Sequence, residues 1–188
     1  MDGDLEAMYR IRLRSLMWAA GLLKELRHSR DVEAVAVAAN WGLDAAYDLF
    51  EAYIIAKDIQ KNMKQDDALL ASTAGEVVGG LMFVRGEKTH RARRVDAPSP
   101  FKDLPYDFAG LTDWTWSKLT TRPTASRYTQ RAEWYQRHVQ DRPLWAPLES
   151  AEYWFLKNWP TEVPRSESIE TPDWVDGVRP FYDSGSDA

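Results

Sequence analysis

Apolar residues recur every three or four positions through three long stretches of this chain, and that spacing predicts helices. Leu5, Met8, Ile11, Ser15, Trp18, Leu22 and Leu26 share one stripe of a helix over 4–29. Arg10, Arg12, Arg14, Lys24 and Glu25 lie between them as a solvated face. His28-Ser29-Arg30-Asp31 breaks the period, and the Asp31 carboxylate suits the free amides at the start of a second helix. That helix spans about 32–60, with Val32, Val35, Ala39, Leu43, Ala46, Phe50 and Tyr53 in step. So short a break makes the two helices antiparallel neighbours. The small residues from Ala34 to Ala39 suit close helix contact. Gly42 costs a helix roughly 1 kcal/mol relative to alanine, which marks it as a close crossing.

A polar turn, Lys61 to Asp66, leads to a third helix over about 67–92, with Asp66 or Asp67 as its cap. Leu70, Ala74, Val77, Leu81 and Val84 form its stripe, and Gly75, Gly79 and Gly80 point to tight packing. Ala97-Pro98-Ser99-Pro100 ends it. Residues 95–125 read as irregular and aromatic-rich, with Asp113-Trp114-Thr115-Trp116 as a short strand. Ser126 caps a fourth helix over 127–140, which carries Tyr128, Arg131, Trp134, Tyr135 and His138. Pro147 starts a last short helix from Leu148 to Trp159, with Leu148, Tyr153, Phe155 and Leu156 available for burial. Residues 160–188 hold four prolines among many Ser, Asp and Glu, the composition of an extended, partly disordered tail. There is no internal repeat. The expected fold is all-α: an antiparallel bundle of four to five helices over 1–159, an irregular insertion and an extended C-terminal tail.

Composition narrows the class. A chain of 188 residues can bury a real core without staples. It has no cysteine, which excludes disulfides, thiolate metal sites and a cysteine nucleophile. No apolar run reaches the roughly 20 residues that cross a bilayer. The acidic start, Met1 to Glu6, lacks a signal-peptide pattern, so a cytoplasmic protein with no membrane contact is expected. The net charge of −5 does not mark a general nucleic-acid binder. Nine tryptophans read first as packing and second as stacking surfaces.

Against that acidic background Arg85 to Arg94 is a positive island. Arg85, Lys88, Arg91, Arg93 and Arg94 oppose only Glu87, and His90 lies among them. Guanidinium forks match phosphate oxygens in pairs, and an imidazole can accept and return a proton near neutral pH. Together they are the minimum set for cleaving a phosphodiester without metal. The same run is also what a helix C-terminus attracts through its dipole. Arg131 and Trp134, with Arg127, Tyr128, Tyr135, Arg137, His138 and Arg142, form a second basic and aromatic stretch suited to single-stranded nucleic acid or to an amphipathic surface helix. The three histidines have no metal-ligand spacing, and no glycine-rich phosphate loop or GxSxG motif occurs, so no metal or cofactor is expected.

Gly79-Gly80-Leu81-Met82-Phe83-Val84 followed by Arg85…His90, near the end of a long helix in a helical bundle, resembles the motif helix of the HEPN superfamily. The resemblance covers roughly 5–95. A weaker likeness over 126–158, from Ala132-Glu133-Trp134-Tyr135 to Leu144-Trp145, is to the trailing segments of actinobacterial proteins with HEPN-like helices. The resemblance implies a helical bundle, usually a homodimer, and in many members a metal-independent endoribonuclease of toxin–antitoxin or phage-defence type. Arg85 would then stabilise the phosphate and His90 would be the acid or base. Lys88, Arg91, Arg93, Arg94, Arg131 and Trp134 would hold single-stranded RNA, and an antitoxin-like protein is a further expected partner. Gly86 stands where the family commonly has a polar residue. The rival expectation is a non-catalytic helical module that binds a protein or nucleic acid through the Arg, Trp and Tyr surface of 114–145, or that uses its acidic, aromatic tail as a ligand for another chain.

Overall fold

The computed structural model describes residues 3–57, 67–90, 113–119 and 129–158, with the side chains of 3–6 and 87–90 left out. The protein is all-α. Five α-helices occur among the described residues: α1 (Gly3–Glu25), α2 (Val32–Ala56), α3 (Thr73–His90), α4 (Thr129–His138) and α5 (Trp145–Lys157). A single 3-10 turn, Leu26–His28, follows α1. Helices α1, α2, α3 and α5 pack in a ring, α1 on α2, α2 on α3, α3 on α5 and α5 on α1, and α4 packs mainly on α3.

The antiparallel pairing of α1 and α2 follows from the tight link between them. Asp31 accepts a hydrogen bond from the Ala34 amide at 2.9 Å and so starts α2, as its sequence position suggests. Trp18 then meets Trp41, and Arg12 meets Asp48, an antiparallel register. The buried face of α1 differs from the expected stripe. Tyr9, Leu13, Leu16, Ala20 and Leu23 are interior, whereas Ile11 is exposed and Trp18 and Leu22 are half-buried. Both sets obey the helical period, so spacing could not choose between them. The set that faces both α2 and α5 is the one that folds inward.

On α2 the expected stripe is buried except for Val32, which lies exposed in the first turn. A second set, Ala38, Ala45, Leu49, Ala52 and Ile54, is buried as well, because α2 has α1 on one flank and α3 on the other. Its outer ridge carries Val37, Trp41, Asp44, Asp48 and Ile55.

The expected helix over 67–92 is broken near its start. A short helical turn at 67–69 ends before α3, and Ser72 caps α3 instead of an aspartate: its hydroxyl accepts from the Gly75 amide at 3.1 Å. The break folds Leu70 back over α3. A methyl at Gly75 would lie 2.6 Å from the Leu70 carbonyl oxygen, so glycine is what permits the fold-back. Gly79 receives the indole of Trp134, and Gly80 lies against the Tyr135 backbone, which brings α3 and α4 close. Gly42 makes the parallel arrangement elsewhere, admitting Leu148 of α5 beside Ala19.

Residues 113–119 run extended, and Thr115 forms an isolated antiparallel bridge with Pro143 rather than a strand. The segment ties the bundle together at two points. The Trp114 indole donates to the Ser29 carbonyl at 2.9 Å, and the Trp116 indole donates to the Leu144 carbonyl at 3.1 Å. Helix α5 begins at Trp145, earlier than expected, with Pro147 inside its first turn where a missing N–H costs nothing. Leu148 and Phe155 are buried, Leu156 is half-buried, and Tyr153 is exposed rather than interior. The expected cap Ser126 and the expected tail over 160–188 lie outside the described residues.

The glycines give a paired test. Gly75→Ala drives a methyl into backbone and is expected to cost about 1–3 kcal/mol. Gly21→Ala sits in α1 with open space around it and is expected to stabilise by about 0.5–1 kcal/mol. Urea unfolding of the two variants measures both.

Candidate functional site

Arg85 lies in the C-terminal half of α3, on the flank that faces α2. Two residues of α2 hold its guanidinium. The Asp44 carboxylate pairs with Nε at 3.6 Å, and the Tyr47 ring lies beneath the guanidinium carbon at 4.1 Å from its centroid. Asp44 and Tyr47 are three residues apart, so they are neighbours on the face of α2. A carboxylate beside Nε restrains the guanidinium along its edge, and a ring against its face restrains the plane. The Arg85 side chain retains 30% exposure. Sequence reading singled out Arg85 but missed both partners. The available signal was the i, i+3 spacing of an acid and an aromatic on a helix expected to pack nearby.

Helix α3 runs without interruption through Gly86 to His90, and no described glycine has positive φ. Positions 85 and 90 are therefore about 140° apart around the axis at 3.6 residues per turn. The backbone of α3 does not itself converge them. The Lys88 side chain and residues Arg91, Arg93 and Arg94 fall outside the described set, as does the His90 ring.

The second basic stretch is placed differently from its expectation. Arg131 Nε donates to Asp67 at 2.7 Å, with both side chains nearly buried at 11% and 12% exposure. Trp134 is 5% exposed and fills the space over Gly79. These two residues, expected to hold nucleic acid, fasten α4 to α3 and to the turn before it. The physical reason is that α4 turns its aromatic face toward a helix lined with glycine, where a large ring fits. Trp114, Trp116 and Tyr135 are buried too, and the Tyr135 hydroxyl donates to the Ser117 carbonyl. At the other end of α4, His138 Nε2 lies 2.6 Å from Glu76 Oε2, and Arg137 Nη1 donates to the same oxygen at 3.3 Å. This is a latch between α3 and α4, and its histidine was in the sequence reading while its carboxylate was not.

A shallow cleft of about 480 Å³ opens between α3 and α5, walled by Val77, Trp145, Ser150 and Tyr153. Its one carboxylate, Glu149, is paired with Lys24, whose ammonium also lies over the Trp145 ring at 4.7 Å. The cleft thus offers little chemistry. Elsewhere on α5, burial and then the neighbouring Glu149 charge raise the Glu152 carboxyl above its ordinary value, with Lys24 acting in the opposite direction. Burial chiefly, with Tyr53 adding to it, also raises the Tyr9 phenol, which donates to the Phe155 carbonyl at 3.3 Å.

No helix among the described residues is long and apolar enough to cross a membrane. No protein-family model, curated protein or solved structure matches the chain.

Arg131→Ala is expected to leave Asp67 unpaired in a nearly closed setting and to cost about 3 kcal/mol. Replacing both residues with apolar ones is expected to recover most of that loss in a double-mutant cycle. Glu152 carries a second expectation. Its folded pKa is above its unfolded one, so its contribution is most favourable at acid pH and is lost as pH rises through the folded value. Glu152→Gln is therefore expected to melt above wild type at pH 7 and to lose that advantage near pH 4, measured by thermal unfolding across pH.

Proposed function

We propose that the protein is a metal-independent endoribonuclease of the HEPN-like kind that its Arg85…His90 motif resembles. The observation that carries this reading is Arg85. It is a half-exposed guanidinium near the end of a long bundle helix, oriented by a carboxylate and an aromatic ring, at the head of the chain's basic run. Such a group is prepared to meet a phosphate oxygen without first being ordered. In the cleavage step the ribose 2′-hydroxyl loses its proton and bonds to the adjacent phosphorus, the bond from phosphorus to the 5′-oxygen of the next nucleotide breaks, and that 5′-oxygen leaves with a proton. His90 takes or returns the proton, and Arg85 stabilises charge on the non-bridging oxygens. Lys88, Arg91, Arg93 and Arg94 supply attraction to the single-stranded RNA backbone.

The 140° offset between positions 85 and 90 fits a two-fold homodimer, in which each chain completes the other's pair. The setting is cytoplasmic, of toxin or phage-defence type, with an antitoxin-like protein as the natural restraint. A second reading, a non-catalytic module that binds a protein partner, draws on the exposed apolar residues Ile11, Val37 and Trp41 along the α1–α2 side.

Purified protein with single-stranded RNA in EDTA is expected to yield fragments ending in 2′,3′-cyclic phosphate. Arg85→Ala and His90→Ala are each expected to lower the rate at least about 100-fold, with folding intact by circular dichroism. No cleavage by wild type, or equal rates in all three, would falsify the nuclease reading.

A further inference from the structure

The nuclease reading takes the Arg85 guanidinium with its α2 neighbours in place and assigns chemical roles only to Arg85 and His90. Yet α2 brings two residues to one guanidinium from different directions, Asp44 at its Nε edge and Tyr47 at its face. We propose that Asp44 and Tyr47 are positioning residues that fix the plane and direction of the Arg85 guanidinium for phosphate. This inference rests on the nuclease reading.

The physical case begins with what the pair is unsuited to do. Asp44 and Arg85 are half-exposed, and an ion pair at that exposure contributes little to stability. Asp44 also stands on the outer ridge of α2, between Trp41 and Asp48. Its carboxylate even lowers the positive potential at Arg85, which weakens long-range attraction for RNA. What it supplies is direction. An arginine side chain has many rotamers, and a guanidinium restrained only at its stem samples many planes. A carboxylate near Nε and a ring against the face narrow that sampling. Catalysis depends on the guanidinium's orientation in the transition state, whereas ground-state attraction depends mainly on charge.

The two roles separate kinetically. Asp44→Asn removes a charge but keeps the shape. It is expected to lower kcat about tenfold and to leave KM unchanged or lower, because the site becomes more cationic. Asp44→Glu is expected to restore part of kcat. Tyr47→Leu is expected to lose about fivefold in kcat, and Tyr47→Phe, which keeps the ring, to retain more of kcat than Tyr47→Leu. All four variants are expected to melt within roughly 2 °C of wild type, except Tyr47→Leu, which loses ring packing. An independent reading comes from the Arg85 Nε–Hε signal in the full-length protein labelled with nitrogen-15. It is expected to be sharp and protected in wild type and to broaden in Asp44→Asn.

Each result decides. A cleaving wild type, an inactive His90→Ala, and full kcat in both Asp44→Asn and Tyr47→Leu would overturn the positioning role alone. The same holds if Asp44→Asn raises KM with kcat unchanged, since Asp44 would then act on binding. Absence of cleavage by wild type overturns the nuclease reading, and the catalytic role of Asp44 and Tyr47 with it. The Arg85 nitrogen signal then still reports whether α2 orders the guanidinium.

Discussion

Close contact along the glycine side of α3 is the constraint on which the remaining structure depends. Gly75, Gly79 and Gly80 let the Leu70 turn and the Trp134–Tyr135 face of α4 approach nearer than any side chain would permit. Packing of that kind gains dispersion contacts around large rings and excludes water from them. It also settles the orientation of α3. With one side occupied by α4 and the apolar stripe turned to the core, the flank that bears Arg85 faces α2. Residues 79 and 85 are about 120° apart around the helix, so the packing device and the basic group do not compete for the same space.

The basic side chains of this protein divide by surroundings rather than by residue type. Arg131 and His138 lie in α4, and both meet carboxylates of the α3 region, Asp67 and Glu76. Arg131 is nearly enclosed, so its pairing is part of the architecture. Arg12 and Lys24 pair with Asp48 and Glu149 across exposed seams between helices, where such contacts set register more than stability. Arg85 resembles Lys24 in being held by a carboxylate and a ring at once while partly open to solvent, and differs from it in that the chain's densest run of positive charge follows it.

The tryptophans show the same division. Trp114 and Trp116 bury their rings and place each indole N–H on a backbone carbonyl, one at the α1–α2 link and one before α5. They turn an irregular segment into a brace across the bundle. Trp134 and Trp154 pack among other core groups, the first over Gly79 and the second against Phe50, Tyr53 and Phe155. A ring that is closed on both faces cannot stack on a base. The exposed edge of Trp41, beside Trp18 on the outer α1–α2 side, is of another kind.

Helical class, the Asp31 cap, the antiparallel link between α1 and α2, and the close crossings at Gly42 and Gly79–Gly80 were legible in the sequence. Each follows from local spacing, from a backbone requirement or from the absence of a side chain. The inward face of α1 was not legible, because two apolar stripes satisfy the same period and only the positions of α2 and α5 distinguish them. The break at Ser72 was not legible either, since it depends on Leu70 folding back onto a glycine five residues later. For the candidate site, the spacing along the chain put Arg85 and His90 on one helix, and the composition put them in a basic stretch of sequence. Tertiary structure decided that Asp44 and Tyr47 meet Arg85 from a different helix, and that Arg131 and Trp134 belong to the interior. Charge and aromaticity are properties of a residue, but burial and partnership are properties of the helix packed against it.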